Sequence, residues 1–437
     1  MRLFSLLLLC LLSTNTSFAT VDLIHCIDKA LLENSEIRKA RAKFQAFKES
    51  EDQSLASLLP SIGLSVSRSR VSQERSDGSG FQVDQDYIME SDAISLRQPV
   101  YRPKLLRDLK RTKKEILAED LLLAYKEDLM KMKVAEVYFR LLKAYAEEIL
   151  LEKRINLLSE QKKASLKSLE AGRGTITEIA EINAANDKAS ADLIKARQNI
   201  RLETNELQFF IGEEISGIKN LNGNSINFDI FKKYPISHWE EEAVSNNHEI
   251  KSIRERISAA RLALASEKFN RYPTLDLNIQ MSRGSSESTF FVDSETKSNS
   301  VGLTLFLPLY QGGSISSRIR QSASNLEAEV EGLKFQEEDI RKRVQKTYFG
   351  LLESIELRDA LKSAMNSAMI ELEATKKSTS AGVRKQLDIL ISQQKALIVE
   401  REFIDANLNI ILYWLKLNML NSNLDRETIL TINKFLK

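Results

Sequence analysis

Three histidines, His25, His238 and His248, are the residues of this chain best suited to catalysis or metal binding. None has a partner at metal-ligand spacing, and His248-Glu249 lacks the second histidine of a zinc protease helix. The sequence also shows no phosphate-binding loop, no dinucleotide fingerprint and no nucleophile elbow. We therefore predict that the protein is not an enzyme, has no catalytic residues, and needs no metal and no other cofactor.

The N-terminus is typical of an export signal. Arg2 is a short charged region, Leu3 to Leu12 form an apolar core, and Ser17-Phe-Ala19 supplies the small residues of a cleavage site. We predict cleavage after Ala19, with a short N-terminal anchor as the alternative. The mature chain then keeps one cysteine, Cys26, which excludes an internal disulfide.

Composition excludes several classes of partner. The chain has 437 residues, a net charge of +2 and 28% charged residues of both signs, as in long solvated helices. The strongly basic face of a nucleic-acid-binding protein is absent, so no nucleic acid is expected. After the signal, no apolar run reaches the roughly 20 residues of a membrane-spanning helix. A membrane location would therefore require a closed β-barrel, in which every backbone group is paired.

The distribution of proline predicts two very long helical regions. The six prolines leave residues 104–234 and 309–437 free of proline, which in a helix interior costs about 3 kcal/mol. Both regions are rich in Leu, Ala, Glu, Lys and Gln. From Leu387 to Leu415 the apolar residues follow a seven-residue period, interrupted by Gln394 and Arg401. This period is typical of a coiled coil, although a shorter helical bundle shows similar spacing.

Four short segments alternate between apolar and polar residues, which predicts strands with one apolar and one polar face. They lie at residues 61–67, 94–97, 274–281 and 301–308. Each strand is expected to span about 8–12 residues, near the length of a tilted transmembrane strand. A soluble sandwich would show the same alternation. The polar stretches 73–85 and 284–299 are predicted to be exposed hairpin loops.

The chain contains an internal repeat. Asn34-Ser-Glu-Ile-Arg38 returns as Asn247-His-Glu-Ile-Lys251, an offset of 213 positions (247 − 34). Val134-Ala-Glu-Val-Tyr-Phe-Arg-Leu-Leu142 returns as Val344-Gln-Lys-Thr-Tyr-Phe-Gly-Leu-Leu352, an offset of 210 positions (344 − 134). Each half therefore reads helix, β-hairpin, long helix, turn and long helix.

The repeat sets the strand count at four per chain. A closed transmembrane barrel needs at least about eight strands, so other copies must complete it. Three copies giving twelve strands is the simplest solution. A helix from Lys104 to about Ala171 would be on the order of 100 Å long. We expect helical hairpins of that length to project from the barrel as the wall of a tunnel.

Several segments resemble the TolC family of outer-membrane efflux and secretion channels. Asp22-Leu-Ile-His-Cys-Ile-Asp-Lys-Ala-Leu-Leu-Glu-Asn-Ser-Glu-Ile-Arg38 is similar to that family's first helix. Pro60-Ser-Ile-Gly-Leu64 and Pro308-Leu-Tyr-Gln-Gly-Gly313 are similar to the start and end of its strands. Ala381-Gly-Val-Arg-Lys-Gln-Leu-Asp-Ile-Leu-Ile-Ser-Gln-Gln394 resembles its helical tip. The resemblance covers the mature chain up to about Leu424.

The resemblance implies the fold and the partners. The expected fold is mainly α-helical with a small membrane β part: a trimeric twelve-stranded barrel, continued by an α-helical coiled-coil tunnel. The expected location is the outer membrane of a Gram-negative bacterium, with the helices in the periplasm. The implied partners are two further copies of the chain, the lipid bilayer, a periplasmic adaptor (a membrane fusion protein) and an inner-membrane transporter.

The resemblance also suggests functional residues. Gly172 and Gly382 match the glycines of the two helical tips, where the adaptor docks and where a tight turn favours glycine. Glu178, Arg384 and Asp388 match charged residues that narrow the periplasmic entrance in the family. Rings of carboxylates repel themselves unless they are paired, and Arg384 could supply the pairing. The alternative is that these three are ordinary charges on helix surfaces.

Two positions depart from the family pattern at this entrance. Thr379 stands where some members have a tyrosine, and Ile391 stands where a second aspartate would fall. The closing network is therefore expected to be incomplete. Arg97 and Asp276, on the polar faces of predicted strands, are candidates for lining the barrel lumen.

These expectations define a domain organisation. Residues 1–19 are the signal peptide, 20–216 the first repeat, 217–239 an inter-repeat linker or equatorial segment, 240–424 the second repeat and 425–437 a C-terminal tail. The β-hairpins are expected at about 60–101 and 273–309.

The favoured function is a passive export duct, in either a tripartite efflux pump or a type I secretion system. The alternative is a periplasmic coiled-coil scaffold or adaptor. Adaptors usually carry one helical hairpin and an N-terminal anchor, whereas this chain has two predicted hairpins and a cleavable signal.

Overall fold

A computed structural model shows a mainly α-helical chain with one small β-sheet, which confirms the predicted fold class. The structure describes residues 20–76, 80, 82–172, 174–220, 231, 234–288 and 291–436. The predicted signal peptide, residues 1–19, lies outside the described residues, as does much of the predicted segment 217–239.

Long helices dominate both halves of the sequence, and the two longest described, α4 (Pro103–Glu170) and α8 (Ser314–Ser380), contain 68 and 67 residues. Neither contains an interior proline; Pro103 stands at the first position of α4, where its missing N–H costs nothing. The described helices are α1 (Leu23–Glu33), α2 (Ser35–Lys48), α3 (Ser50–Ala56), α4 (Pro103–Glu170), α5 (Ile176–Ile211), α6 (Ile236–Asn246), α7 (His248–Lys268), α8 (Ser314–Ser380), α9 (Gln386–Leu420) and α10 (Arg426–Asn433). Among the described residues, no helix is long and apolar enough to cross a membrane.

The sheet has four antiparallel strands in the order β1-β2-β3-β4. Their bounds are β1 (Ser61–Ser76), β2 (Gln82–Tyr101), β3 (Thr274–Ser288) and β4 (Phe291–Phe306). Each repeat supplies one hairpin, and the pairing of β2 with β3 joins the two hairpins. In the described part of the chain, β1 and β4 are edge strands, each paired on one side only.

The strands are longer than predicted, with 15 to 20 residues rather than 8–12. Most of the stretches 73–85 and 284–299, predicted as loops, continue the strands. The pairing of β1 with β2 and of β3 with β4 continues through these stretches, for example at Gln73 and Gln85 and at Gly284 and Thr296. In the second stretch Glu295 Oε1 also lies 2.6 Å from Arg283 Nε across the two strands. Polar composition alone therefore predicted loops wrongly, because polar side chains can also pair across the strands of a sheet.

The two faces of the sheet differ sharply. The register places Ile62, Leu96, Ile279 and Val301 in one row across the strands. The adjacent row, on the opposite face, contains Ser61, Arg97, Asn278 and Gly302. One face is therefore apolar near the helices and the other is polar.

The chain divides into two compact units, each of which draws on both repeats. One unit contains residues Ala40–Ala124 and His248–Glu338, with the whole sheet. The other contains the described residues up to Lys39 together with Tyr125–Asn247 and Asp339–Lys437.

In the second of these units, α1 packs against α5 and α10. The Tyr138 hydroxyl donates to the backbone carbonyl oxygens of Val21 at 3.3 Å and Lys219 at 3.1 Å, beside a parallel bridge between Val21 and Ile218. Cys26 is fully buried, and burial raises the pKa of its thiol to about 12. This cysteine is thus a core residue rather than a reactive thiol.

Candidate functional sites at the helical tips and the strand bases

The turn between α4 and α5 depends on two glycines. Gly172 has a φ of +69°, a left-handed conformation that favours glycine, and its N–H donates to the Leu169 carbonyl at 2.9 Å. Gly174, which the sequence analysis did not single out, lies against backbone. A Cβ at this position would be 2.8 Å from the Leu169 nitrogen.

The turn between α8 and α9 has the same form. Gly382 has a φ of +76°, and its N–H donates to the Thr379 carbonyl at 3.0 Å. The next N–H, of Val383, donates to the Ser378 carbonyl at 2.9 Å. Both bonds satisfy carbonyls left free at the end of α8.

The two carboxylates predicted at the entrance, Glu178 and Asp388, lie near the starts of equivalent helices, 210 positions apart (388 − 178). Glu178 lies in the first turn of α5, where its N–H is capped by the Thr175 hydroxyl at 3.3 Å. Asp388 lies in the first turn of α9, where its Oδ2 accepts the Lys385 N–H at 3.1 Å. Negative charge at a helix N-terminus is stabilised by the helix dipole.

Arg384 does not pair with Asp388 within one described chain. Its Nη1 lies 3.4 Å from the Thr375 hydroxyl, and the side chain is otherwise exposed. The Thr379 hydroxyl, at the position of the family's tyrosine, donates to the Lys385 carbonyl at 3.4 Å. Arg384 and Thr379 thus contact their own tip, and Asp388 serves as a helix cap.

Exposed apolar side chains surround these turns, and the sequence analysis did not single out two of them, Ile176 and Val383. Ile176 and Val383 are 76% and 79% exposed, and Leu387 and Ile391 are also exposed. Hydrophobic periodicity gave no signal for Ile176 and Val383, because single apolar residues near a turn belong to no stripe. Leu387 is the first residue of the predicted seven-residue period, and Ile391 was named only as a departure from the family pattern.

At the base of the sheet, the structure brings Arg97 and Asp276 together. Arg97 Nη2 donates to Asp276 Oδ2 at 2.8 Å across β2 and β3. Arg102, which the sequence analysis missed, donates from Nε to Asp276 Oδ1 at 2.7 Å. One carboxylate is therefore shared by two guanidinium groups, an arrangement for charge placement rather than catalysis.

The described residues hold no group of three His, Cys, Asp or Glu side chains that could bind a metal ion. The candidate sites consist of turns, exposed apolar side chains and paired charges. Such features fit docking and the passage of solutes.

Comparison with known proteins identifies the class. The family model for outer membrane efflux proteins matches residues 26–213 and 239–420. The alkaline protease secretion protein AprF of Pseudomonas aeruginosa is 26% identical over 91% of this chain and 83% of its own length. The outer membrane protein TolC of Escherichia coli K12 is 24% identical over 95% of this chain and 85% of its own length.

A solved structure shows the same fold. The outer membrane channel CmeC of Campylobacter jejuni superposes with a TM-score of 0.77 at 17% identity, covering 95% of this chain and 90% of that one. The family match defines a channel protein of the outer membrane, and the fold agrees with it. The chain belongs to the outer membrane efflux protein family.

Membership of this family fixes the general function. The protein is a passive outer-membrane channel for efflux or type I secretion, not an enzyme, and it works with other pump or secretion components. The family assignment favours this function over the alternative of a periplasmic scaffold.

Proposed function

We propose that three copies of the chain close a twelve-stranded β-barrel in the outer membrane, with four strands from each copy. This proposal is supported by the two edges of the sheet, which have no partner strand in the described chain. A four-stranded sheet is too small to close on itself, and unpaired edges invite pairing with another strand. In the described chain β1 and β4, each of 16 residues, offer such edges.

The apolar face of the sheet supports a lipid contact. Leu64, Val66, Val301 and Leu305 are between 68% and 74% exposed in a single chain. A patch of this kind is unusual on a soluble monomer but is expected of the lipid face of a barrel. The polar face would then line the bore.

Exposed apolar residues on α5 and α8 support the same assembly. On α5, exposed apolar residues recur at Ile194, Leu202 and Phe209. On α8, the exposed Phe349 and Ile370 stand 21 positions apart, three heptads (370 − 349). We infer that these stripes meet between neighbouring copies and seal the wall of a periplasmic tunnel.

Size exclusion with light scattering of the detergent-solubilised mature protein tests the assembly. We expect three copies per particle and precipitation when detergent is removed. A monomer or dimer that stays soluble without detergent would contradict the barrel.

We further propose that the tips containing Gly172 and Gly382 dock a periplasmic adaptor, which links the channel to an inner-membrane transporter. The exposed Ile176 and Val383 support this role, since apolar residues at a turn suit a partner surface. Val383→Asp should reduce co-purification with the adaptor while the trimer persists. Ala364→Asp, at an exposed site of α8 outside the row of Phe349 and Ile370, is the matched control.

At the periplasmic entrance, we propose that Glu178 and Asp388 form acidic rings, one carboxylate of each per copy, with Arg384 beside them. Asp388→Asn removes the charge but keeps an oxygen to accept the Lys385 N–H. We expect this variant to lower cation preference in planar-bilayer recordings without loss of helical content. Unchanged ion preference would contradict the ring.

For the cargo, we infer that protein secretion is the first activity to test, because the relative AprF is named for secretion of an alkaline protease. A strain lacking this channel should lose an extracellular protein and regain it on complementation. Loss of small-molecule export alone would favour efflux instead.

A further inference from the structure

On the part of the polar face whose side chains the structure describes, charged residues are few. Among strand residues whose side chains the structure describes, Arg97 and Asp276 are the only charged residues on it. Their neighbours along the strands are mostly Ser, Thr, Asn, Gln and Gly; the row of Arg97, for example, holds Ser61, Asn278 and Gly302. On the described part of this face, charge is therefore concentrated at one level.

The opposite face carries more charged residues, several of them in ion pairs. Arg68 lies beside Glu90, and Arg283 Nε lies 2.6 Å from Glu295 Oε1. These pairs stand on the face that bears the apolar row, toward the hairpin loops. They therefore give a matched set of strand arginines outside the polar face.

The cluster at the base of the sheet leaves one positive charge in excess. The Asp276 side chain is only 11% exposed and is shared by Arg97 and Arg102. The Arg97 side chain is 54% exposed, and one of its terminal nitrogens, Nη2, donates a hydrogen bond to Asp276. Its remaining N–H groups point to no acceptor among the described residues.

We propose that Arg97 is an anion-binding site of the channel bore. The proposal rests on the trimeric barrel, in which the polar face lines the bore and three copies of Arg97 form a ring at its helix-proximal end. Asp276 is a positioning residue that fixes the guanidinium through a charged hydrogen bond.

The ligands are phosphate and carboxylate groups of solutes in transit. A guanidinium presents parallel N–H donors that match these planar or tetrahedral anions, and it stays charged at every physiological pH. Screening confines the attraction to about 8 Å at physiological ionic strength. The described part of the barrel bore therefore offers an anion one short attractive zone.

The site can be tested by measuring how an anion added to one side of the membrane blocks the current through single channels. The full mature chain is inserted in a planar bilayer, and tripolyphosphate is added first to one side and then to the other. We expect block of the wild-type current from the barrel side. Arg97→Gln should raise the half-blocking concentration roughly tenfold, as loss of a charge-assisted hydrogen bond would.

Two further variants separate charge from structure. Arg97→Lys keeps the charge and should retain block, and Arg68→Gln removes an arginine from the opposite face and should leave block unchanged. Equal block of open wild-type and Arg97→Gln channels would overturn the ring while leaving the barrel intact. A wild-type protein that forms no channel would overturn the barrel and the ring together.

Discussion

At each helical tip one glycine, Gly172 or Gly382, is required for its backbone conformation rather than for the space around it. Nothing lies within 4 Å of a Cβ added at Gly172 or Gly382, yet both have positive φ. Gly332, inside α8, also has open space around it but a φ outside the left-handed region. Substitutions at these three positions therefore distinguish the effect of backbone conformation from the effect of crowding.

Gly382→Ala should destabilise the second tip by about 1 kcal/mol, because a Cβ is strained at positive φ. Gly332→Ala should stabilise the protein by about 0.5–1 kcal/mol, since alanine favours a helix interior over glycine. Thermal unfolding followed by circular dichroism compares the two variants. Equal midpoints would contradict the assigned backbone conformation.

Asp425 predicts a pH dependence for the C-terminal helix α10. The Thr428 N–H donates to Asp425 Oδ1 at 2.8 Å and lowers the pKa of this carboxyl below its usual 3.8, although partial burial acts in the opposite direction. The folded carboxylate is thus favoured. Its stabilising contribution is present above pH 3.8 and is lost as the pH falls through the lowered value.

Hydrogen exchange of the α10 amides should therefore accelerate as the pH falls below 3.8, after correction for intrinsic rates. Asp425→Asn keeps a capping oxygen that does not titrate, so its protection should change less with pH. The same acid dependence in both proteins would exclude Asp425 as its source.

At the scale of elements, the two repeats join their long helices differently at one equivalent site. In the first repeat, Arg140 on α4 lies 2.9 Å from Glu203 on α5. At the offset of 210, the second repeat has Gly350 on α8 and Tyr413 on α9, where the ring lies against the glycine. An ion pair has thus been replaced by a close ring contact.

Gly350→Ala should destabilise the α8–α9 pair by about 1 kcal/mol, because a Cβ would lie 2.8 Å from Tyr413 Cζ and the ring must shift. Gly350→Ala combined with Tyr413→Ala relieves that clash. In a double-mutant cycle of unfolding midpoints, we expect a smaller effect of Gly350→Ala when Tyr413 is absent. Additive effects would show that the ring is not the obstacle.

For the whole molecule, assembly should depend on the exposed apolar stripes. Phe209 is 74% exposed on α5 in a single chain, so Phe209→Glu disturbs no core within that chain. In a trimer it would bury a charge against a neighbouring copy, which is strongly unfavourable. We expect light scattering to show dissociated copies, whereas Leu32→Glu, at an exposed leucine of α1, should remain trimeric. A stable trimer of Phe209→Glu would place this stripe outside the interface.

Local patterns in the sequence predicted the elements. The absence of proline and the heptad spacing indicated α4, α5, α8 and α9, because helices depend on neighbours three and four positions apart. Alternation indicated the four strands, and the repeat indicated that the two halves share one plan. The family followed from the order of these segments.

Distant contacts were decided only by the tertiary structure. Arg97 and Arg102 meet Asp276 across 179 and 174 positions, a cluster created by the register of β2 on β3. The polar ends of the strands, predicted as loops, are strands because the pairing with the next strand continues through them, and at Glu295 an ion pair with Arg283 joins the two strands. Gly174 and Gly350 likewise owe their importance to atoms that fold against them. Periodicity reports which face of an element is apolar, but only packing determines which side chains meet.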